Sequence, residues 1–271
     1  MNTALKIRPA AVAGMFYPDS PSELADDVGA LIRAAAPAQS GPAPKALIVP
    51  HAGYVYSGPV AASAYAALAA ARHTIRRVVL LGPAHRVALS GLALPLAGAF
   101  ATPLGTVSLD VALAQTLLDL PQVTQSDAPH ALEHSLEVQL PFLQSALDDF
   151  SLLPLAVGDA TMQEVAEVLD RVWGGPETLI VVSSDLSHYH AYAEAQRLDR
   201  NTAEQILALS PLSDFDRACG AIPVNGLISC AKRRGLVPRL LDLRNSGDTA
   251  GDKSRVVGYG AFAFGAASGD E

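Results

Sequence analysis

Three histidines in this chain follow short apolar runs, each at the point where a buried strand would end. The histidines are His51 after the run at 46–49, His85 after 78–81, and His188 soon after 179–182. In open α/β sheets, ligands bind at the carboxyl ends of the strands. The sequence therefore predicts a rim of metal-binding or proton-transferring side chains along one edge of a sheet.

Two histidines on such a rim favour a transition-metal site. Imidazole suits zinc, copper, iron and nickel, and two histidines with one anionic ligand form the oxygen-activating arrangement of non-haem Fe(II). The anion can be the carboxylate of Asp185, the carboxylate of Glu137 or the thiolate of Cys219. Spacing along the chain does not choose between these three.

A further histidine lies in a segment with helical spacing, residues 129–142. His134 and Glu137 are three residues apart and would share one helix face. Pro141 cannot donate a hydrogen bond to the Glu137 carbonyl, so a kink or a late helix start is expected there. The shared face is either a wall of the site or a solvated helix surface.

Several common catalytic motifs are missing from the sequence. The chain has no HExxH, no pair of CxxC motifs, no GxGxxG after a strand, no GxxxxGK[ST] and no GxSxG. The missing glycine-rich motifs argue against dinucleotide cofactors and against phosphate binding by a P-loop.

The elements that must position these residues alternate between strands and helices. That pattern predicts a single α/β domain over residues 1–271, with helices on both faces of a central, largely parallel or mixed sheet. With 50% hydrophobic and 17% charged residues, the chain can bury a sizeable core.

Composition also limits the partners and the compartment. The net charge is -8 and there is no basic stripe, which argues against nucleic acid as a partner. Two cysteines make no disulfide framework, so a reducing cytoplasm is expected. No apolar run reaches the roughly 18 to 20 residues that a membrane helix needs, and we expect neither a membrane anchor nor a signal peptide.

Four motifs, in this order, resemble those of the Memo family, whose bacterial and archaeal members are known as AmmeMemoRadiSam system protein B. They are PHAGYVYSG at 50–58, LGPAH at 81–85, EHSLE at 133–137 and SSDLSH at 183–188. The resemblance runs from Arg8 to about Phe264. Each motif is weak alone, but four in this order are strong together, and the resemblance covers nearly the whole chain.

The resemblance implies a fold similar to that of class III extradiol (LigB-like) dioxygenases, which use Fe(II). In the Memo family the matching pocket is lined by two histidines and a cysteine, and these fall on His51, His85 and Cys219. A thiolate is softer than the carboxylate that dioxygenases place there. The expected metal is therefore iron or copper, held by these three residues.

The resemblance also brings further residues to the same pocket. Asp185 and His188 match polar residues there and would orient a ligand or move protons. His134 and Glu137 match the family's His-Ser-x-Glu segment. Tyr54 would line the pocket or hydrogen-bond to bound oxygen. We therefore take these five residues as candidate catalytic residues.

The expected function is redox or oxygen-linked chemistry on an unknown small molecule or peptide. One alternative is a peptide- or phosphopeptide-binding module without turnover. Another is a component of a modification system with radical-SAM and AMMECR-type proteins, which the family name implies. The histidines could also serve only to cap strand ends in a fold without activity.

Overall fold

The computed structural model describes residues 5–35, 43–212 and 217–266 of the chain. The strands are β1 (Ile7–Arg8), β2 (Ala46–Val49), β3 (Arg77–Pro83), β4 (Leu92–Leu94), β5 (Ala99–Thr102), β6 (Gly105–Ser108), β7 (Val123–Gln125), β8 (Ser151–Val157), β9 (Thr178–Ser183), β10 (His188–His190), β11 (Val237–Asn245) and β12 (Val256–Gly265). The helices are α1 (Pro21–Ala35), α2 (Tyr54–Ala66), α3 (Val111–Gln115), α4 (Ala128–Ala131), α5 (His134–Glu137), α6 (Leu140–Ala146), α7 (Met162–Val172), α8 (Tyr192–Leu207), α9 (Ala221–Arg233) and α10 (Ser246–Thr249).

Within the described residues, nine strands form one mixed sheet. Their order is β10-β12-β2-β9-β3-β8-β4-β7, with β11 paired to β12. The central strands β2, β9, β3 and β8 are parallel, so their carboxyl ends share one edge. Strands β12 and β4 join this centre in antiparallel fashion, and β1, β5 and β6 form a separate small sheet.

Both faces of the large sheet are covered by helices. Successive side chains of a strand point to opposite faces, and in the central strands the residues on both faces are apolar and must be buried. In β2, Leu47 and Val49 pack into one core with α1, α2 and α6, whereas Ala46 and Ile48 pack into the other with α7, α8 and α9. This confirms the predicted α/β domain with a mixed sheet between two helical layers. In the described part of the chain, no helix is both long and apolar enough to span a membrane.

The segment before α1 is an arm that a buried ion pair fastens to the domain. Glu137 accepts hydrogen bonds from Arg8 Nη1 at 2.5 Å, from the backbone N–H groups of Ala11 at 2.8 Å and Val12 at 2.9 Å, and from the Tyr17 hydroxyl at 2.5 Å. The Arg8 and Glu137 side chains are 6% and 0% exposed. The carboxylate of Glu137 is therefore fully engaged by the arm.

We expect Glu137→Gln to destabilise the fold. The change would leave the buried Arg8 guanidinium without its counter-charge, and breaking a buried pair from one side costs about 3–5 kcal/mol. Urea denaturation followed by circular dichroism would measure the loss in the free energy of unfolding.

The matched control is Glu194→Gln, which makes the same chemical change in an exposed pair with Arg197 on α8. Exposed pairs contribute little, so we expect the control to keep the denaturation midpoint of the parent protein. Equal effects of the two substitutions would contradict the anchoring role of Glu137.

Candidate metal centre

His51, His85 and His134 lie together at the carboxyl edge of the sheet. Each ring offers one nitrogen, and these nitrogens all lie within 4.8 Å of one another. The ring centroids are 5.2 Å apart for His51 and His85, 5.4 Å for His51 and His134, and 4.7 Å for His85 and His134. The structure thus joins two predicted metal ligands to a histidine that was predicted as catalytic.

Each of the three histidines stands just beyond the end of a strand or at the start of a helix. His51 and His85 follow β2 and β3, and His134 opens the single turn α5. Gly82 in β3 permits the close approach of α5, because a Cβ at this position would lie 2.8 Å from the Ser135 hydroxyl oxygen. Close packing of α5 on β3 therefore brings His134 to the strand-end histidines.

Gln139 begins a hydrogen-bond chain that runs beneath the histidines. Its Nε2 donates to the Pro50 carbonyl at 2.9 Å, and its Oε1 accepts from the Tyr65 hydroxyl at 2.8 Å. A carbonyl can only accept, so the amide orientation is fixed. The Nε2 group of Gln139 therefore also donates to the Ser183 hydroxyl, at 2.8 Å.

The hydrogen bonds of Ser183 fix which nitrogen of the His51 ring carries the proton. Its hydroxyl donates its single proton to the Ser135 carbonyl at 2.6 Å and accepts from Gln139. The Nδ1 atom of His51, 2.9 Å away, must then donate to the remaining lone pair. His51 consequently carries its proton on Nδ1 and leaves Nε2 unprotonated, which is the tautomer that binds a metal through Nε2.

Glu133 performs the same task for His85. Its carboxylate is 1% exposed and accepts hydrogen bonds from Nδ1 of His85 at 2.9 Å, from the backbone N–H of His85 at 2.6 Å and from the backbone N–H of Ser135 at 2.9 Å. Nδ1 of His134 lies 3.2 Å from the same carboxylate, in a contact without the angle of a hydrogen bond. Glu133 therefore orients His85 so that its Nε2 faces away from the carboxylate.

The electrostatics agree with these hydrogen bonds. Burial alone would raise the pKa of Glu133, but its contacts with His134, His85 and the Ser135 amide outweigh burial and hold the pKa well below its usual range. Burial, with the neighbouring His85 and His134, lowers the pKa of His51. Glu133 is thus ionised and His51 is neutral, and neutral imidazole is the metal-binding form.

Cys219 lies beside His51. Its Sγ is 3.2 Å from Nε2 of His51, and because the His51 proton is on Nδ1, the thiol S–H donates to Nε2. The following Gly220 donates its N–H to the Ser184 hydroxyl at 3.0 Å, and a Cβ there would lie 2.6 Å from the Ser184 Cβ. Burial, with nearby Asp185, raises the pKa of the Cys219 thiol. Its place as a metal ligand stays a prediction.

Asp185 and His188 also lie close to the centre. Asp185 Oδ1 accepts the backbone N–H of His51 at 2.7 Å, so its carboxyl holds the main chain that carries the ring. Burial raises the pKa of Asp185 to about 7, although backbone N–H groups act in the other direction. Burial and then the nearby His85 and His190 rings lower the pKa of His188, although a backbone hydrogen bond with Leu186 opposes this.

Two of the candidate catalytic residues point to other parts of the structure. Glu137 is engaged by the arm, as described above. The Tyr54 hydroxyl donates to the Val138 carbonyl at 2.6 Å, and its ring packs between Tyr17 and Phe142. The structure therefore does not bring these two groups to the histidines, and catalytic roles for them stay predictions.

Sequence reasoning missed Glu133, Ser183 and Gln139, which set the histidine tautomers. Glu133 directly precedes His134, and Ser183 ends the strand before Asp185, so both lie inside motifs already singled out. Along the chain, Glu133 lies 48 residues from His85, Gln139 lies 89 residues from Pro50, and Ser183 lies 132 residues from His51. A single sequence gives no signal for such distant contacts.

Comparisons with known proteins match nearly the whole chain to one family. The family model described as "Memo-like protein" matches residues 8–263. A MEMO1 family protein of Methanopyrus kandleri is 37% identical over 285 residues, covering 95% of this chain and 98% of the relative. A MEMO1 family protein of Aquifex aeolicus is 37% identical over 277 residues, covering 96% of this chain and 100% of the relative.

We expect Glu133→Gln to disturb the centre as well as the fold. A buried hydrogen bond to a charged acceptor contributes about 1–3 kcal/mol, and the amide has only one acceptor oxygen for three N–H donors. The free energy of unfolding should fall by about that amount. The imidazole nitrogen signals of His85 should show a mixture of tautomers in place of one.

Glu164→Gln serves as the control. Glu164 forms the exposed capping box of α7 with Thr161, a role that glutamine also fills. Neither the unfolding curve nor the imidazole signals should change in this variant. A single unaltered His85 tautomer in Glu133→Gln would contradict the orienting role of Glu133.

Proposed function

Because the chain belongs to the Memo-like family, we propose that its three-histidine centre binds iron or copper and supports redox or oxygen-linked chemistry on a small molecule or peptide. One observation carries this proposal. His51 and His85 each turn Nδ1 to a fixed acceptor, Ser183 and Glu133 respectively, which leaves their Nε2 lone pairs beside His134.

The donor set fits a late first-row metal. Three imidazoles suit copper, iron, zinc and nickel, and a nearby sulfur adds preference for Cu(I). A carboxylate on Nδ1 of a ligating histidine is a common outer-shell partner that raises ligand basicity, as Glu133 would do here. When bound, iron or copper would supply a redox-active centre with positions open to substrate.

His134 and Cys219 would complete the donor set in different ways. His134 brings a third nitrogen within 4.8 Å of the other two. Cys219 brings a sulfur to 3.2 Å from the unprotonated Nε2 of His51. A coordinating thiol gives up its proton to bind metal, so the elevated thiol pKa does not prevent ligation.

The remaining polar residues would serve the reaction from their observed positions. Asp185 holds the backbone of His51 and so keeps the imidazole in place. His188 has a lowered pKa and is therefore neutral near pH 7, so it can accept a proton from a bound substrate. Partners of the radical-SAM and AMMECR types stay predictions.

We expect the metal-free protein to take up about one Fe(II) or Cu(I) per chain under anaerobic conditions. His134→Ala should weaken binding by more than the roughly 10- to 100-fold effect that is typical of a lost outer-shell partner. Equilibrium dialysis with elemental analysis would measure both the metal content per chain and the affinity.

His73→Ala is the matched control, since His73 is exposed and pairs with Asp148 on the surface. Its metal affinity should equal that of the parent. An equal loss in both variants, or no uptake by the parent protein, would contradict the metal centre. Tight binding of a phosphopeptide by a protein that takes up no metal would favour the binding-module alternative.

Cys219→Ser should separate the two candidate metals. Because a thiolate is a soft ligand, the substitution should weaken Cu(I) binding more than Fe(II) binding. Competition with chelators of known affinity would measure each constant. Cys230→Ala is the control, because Cys230 lies in the core against α7 and should leave both affinities unchanged. Equal losses for the two metals would contradict a role of the sulfur in metal preference.

A further inference from the structure

A cleft with a volume of about 580 Å³ opens beside Cys219. Its walls come from the segment after β3, the segment after β8 and the start of α9. These are the carboxyl ends of two neighbouring parallel strands and the loop that carries the thiol. Small-molecule sites usually have volumes of about 300–1,000 Å³, so this cleft is large enough for a substrate.

The lining of the cleft is aliphatic. Among the described residues that form it, the larger apolar side chains are Val87, Leu89, Val157 and Ile222, and several alanines and prolines fill the rest. Asp159 is the one charged residue in this lining, and its side chain is exposed at the rim. Burying a charged group among these walls without a partner would be costly, so the interior favours an apolar ligand.

Backbone hydrogen bonds join two of the walls, the segment after β3 and the segment after β8. The N–H of Asp159 donates to the Leu89 carbonyl at 2.7 Å, and the N–H of Gly158 donates to the Gly91 carbonyl at 2.9 Å. Gly158 also approaches Leu89 so closely that a Cβ there would lie 2.0 Å from the Leu89 carbonyl oxygen. The cleft is therefore already formed before a ligand enters.

The cleft lies next to the three-histidine centre. Cys219 lines it, and its Sγ lies 3.2 Å from Nε2 of His51. Ala84 also lines it and directly precedes His85. A ligand in the cleft thus contacts the aliphatic walls and lies beside the thiol that contacts His51.

We propose that this cleft binds the aliphatic tail of a small-molecule substrate whose polar head reaches the histidines. The tail site follows from the shape and lining of the cleft, whereas the role of the head rests on the proposed metal function. The substrate class is then an amphiphile with an aliphatic chain and a metal-binding head, such as a hydroxamate, carboxylate or enediol.

The probes are unbranched alkyl hydroxamic acids with two to eight carbons, titrated by calorimetry against metal-free and metal-loaded protein. Each methylene buried in the cleft should tighten binding by about threefold to fourfold until the cleft is full. The methyl signal of Ile222 should shift on binding in both protein forms.

Two variants test the position of the tail. Ile222→Asn puts an amide in the wall, and Ala88→Phe fills the cleft from an exposed position, so both should reduce the gain in affinity per methylene to less than half. The control is Ala70→Phe, the same change at an exposed site before β3, on the opposite edge of the sheet. Circular dichroism would confirm that each variant is folded.

The outcomes separate the two proposals. A chain-length dependence that the cleft variants reduce to less than half supports the tail site, whether or not metal changes the affinity. An absence of any metal effect would count against the metal function alone. Affinity that depends on metal but not on chain length would overturn the tail site. A chain-length dependence that persists in both cleft variants would also overturn it.

Discussion

The buried carboxylate of Glu133 is the constraint on which the candidate centre depends. An ionised carboxylate is costly to bury, and this one faces no lysine or arginine among its described hydrogen-bond partners. It is balanced by N–H groups of His85 and Ser135 and by the close ring of His134. The same contacts that stabilise the charge turn the histidines toward one point. A cation bound among them would complement the negative charge, which joins local stability to metal binding.

Two glutamates of one short segment show where sequence reasoning ends. Helical spacing predicted that His134 and Glu137 share a helix face. Pro141 predicted a kink or a late helix start, and a new helix, α6, begins at Leu140. However, α5 is a single turn, so His134 and Glu137 lie at its two ends and serve different neighbours. Glu137 binds the arm, and Glu133, just before the turn, binds the strand-end histidine. Only the packing of this turn on β3 assigns these roles.

The strand-end positions of His51 and His85 could be predicted from the sequence, because an apolar run followed by proline or glycine marks the end of a buried strand. The sheet order could not, since it depends on pairings between strands far apart in the chain, such as β2 with β9. The third member of the histidine group, His134, could not be predicted as a neighbour of the other two from the sequence either. Residue types allowed Asp185, Glu137 or Cys219 as the third ligand, whereas the structure places His134 with the pair and the Cys219 sulfur at its edge.

The surroundings of the centre decide from which side a ligand can approach. Phe16 of the arm packs on His134 with ring centroids 4.8 Å apart, and His51 is almost fully buried over Ser183. The His85 side chain, by contrast, is 29% exposed. The residue before it, Ala84, lines the same cleft as Cys219, so a ligand in that cleft lies near both the His85 backbone and the thiol. Cys219 at that point would contact both the proposed metal and the proposed aliphatic ligand, so one residue would join the two sites.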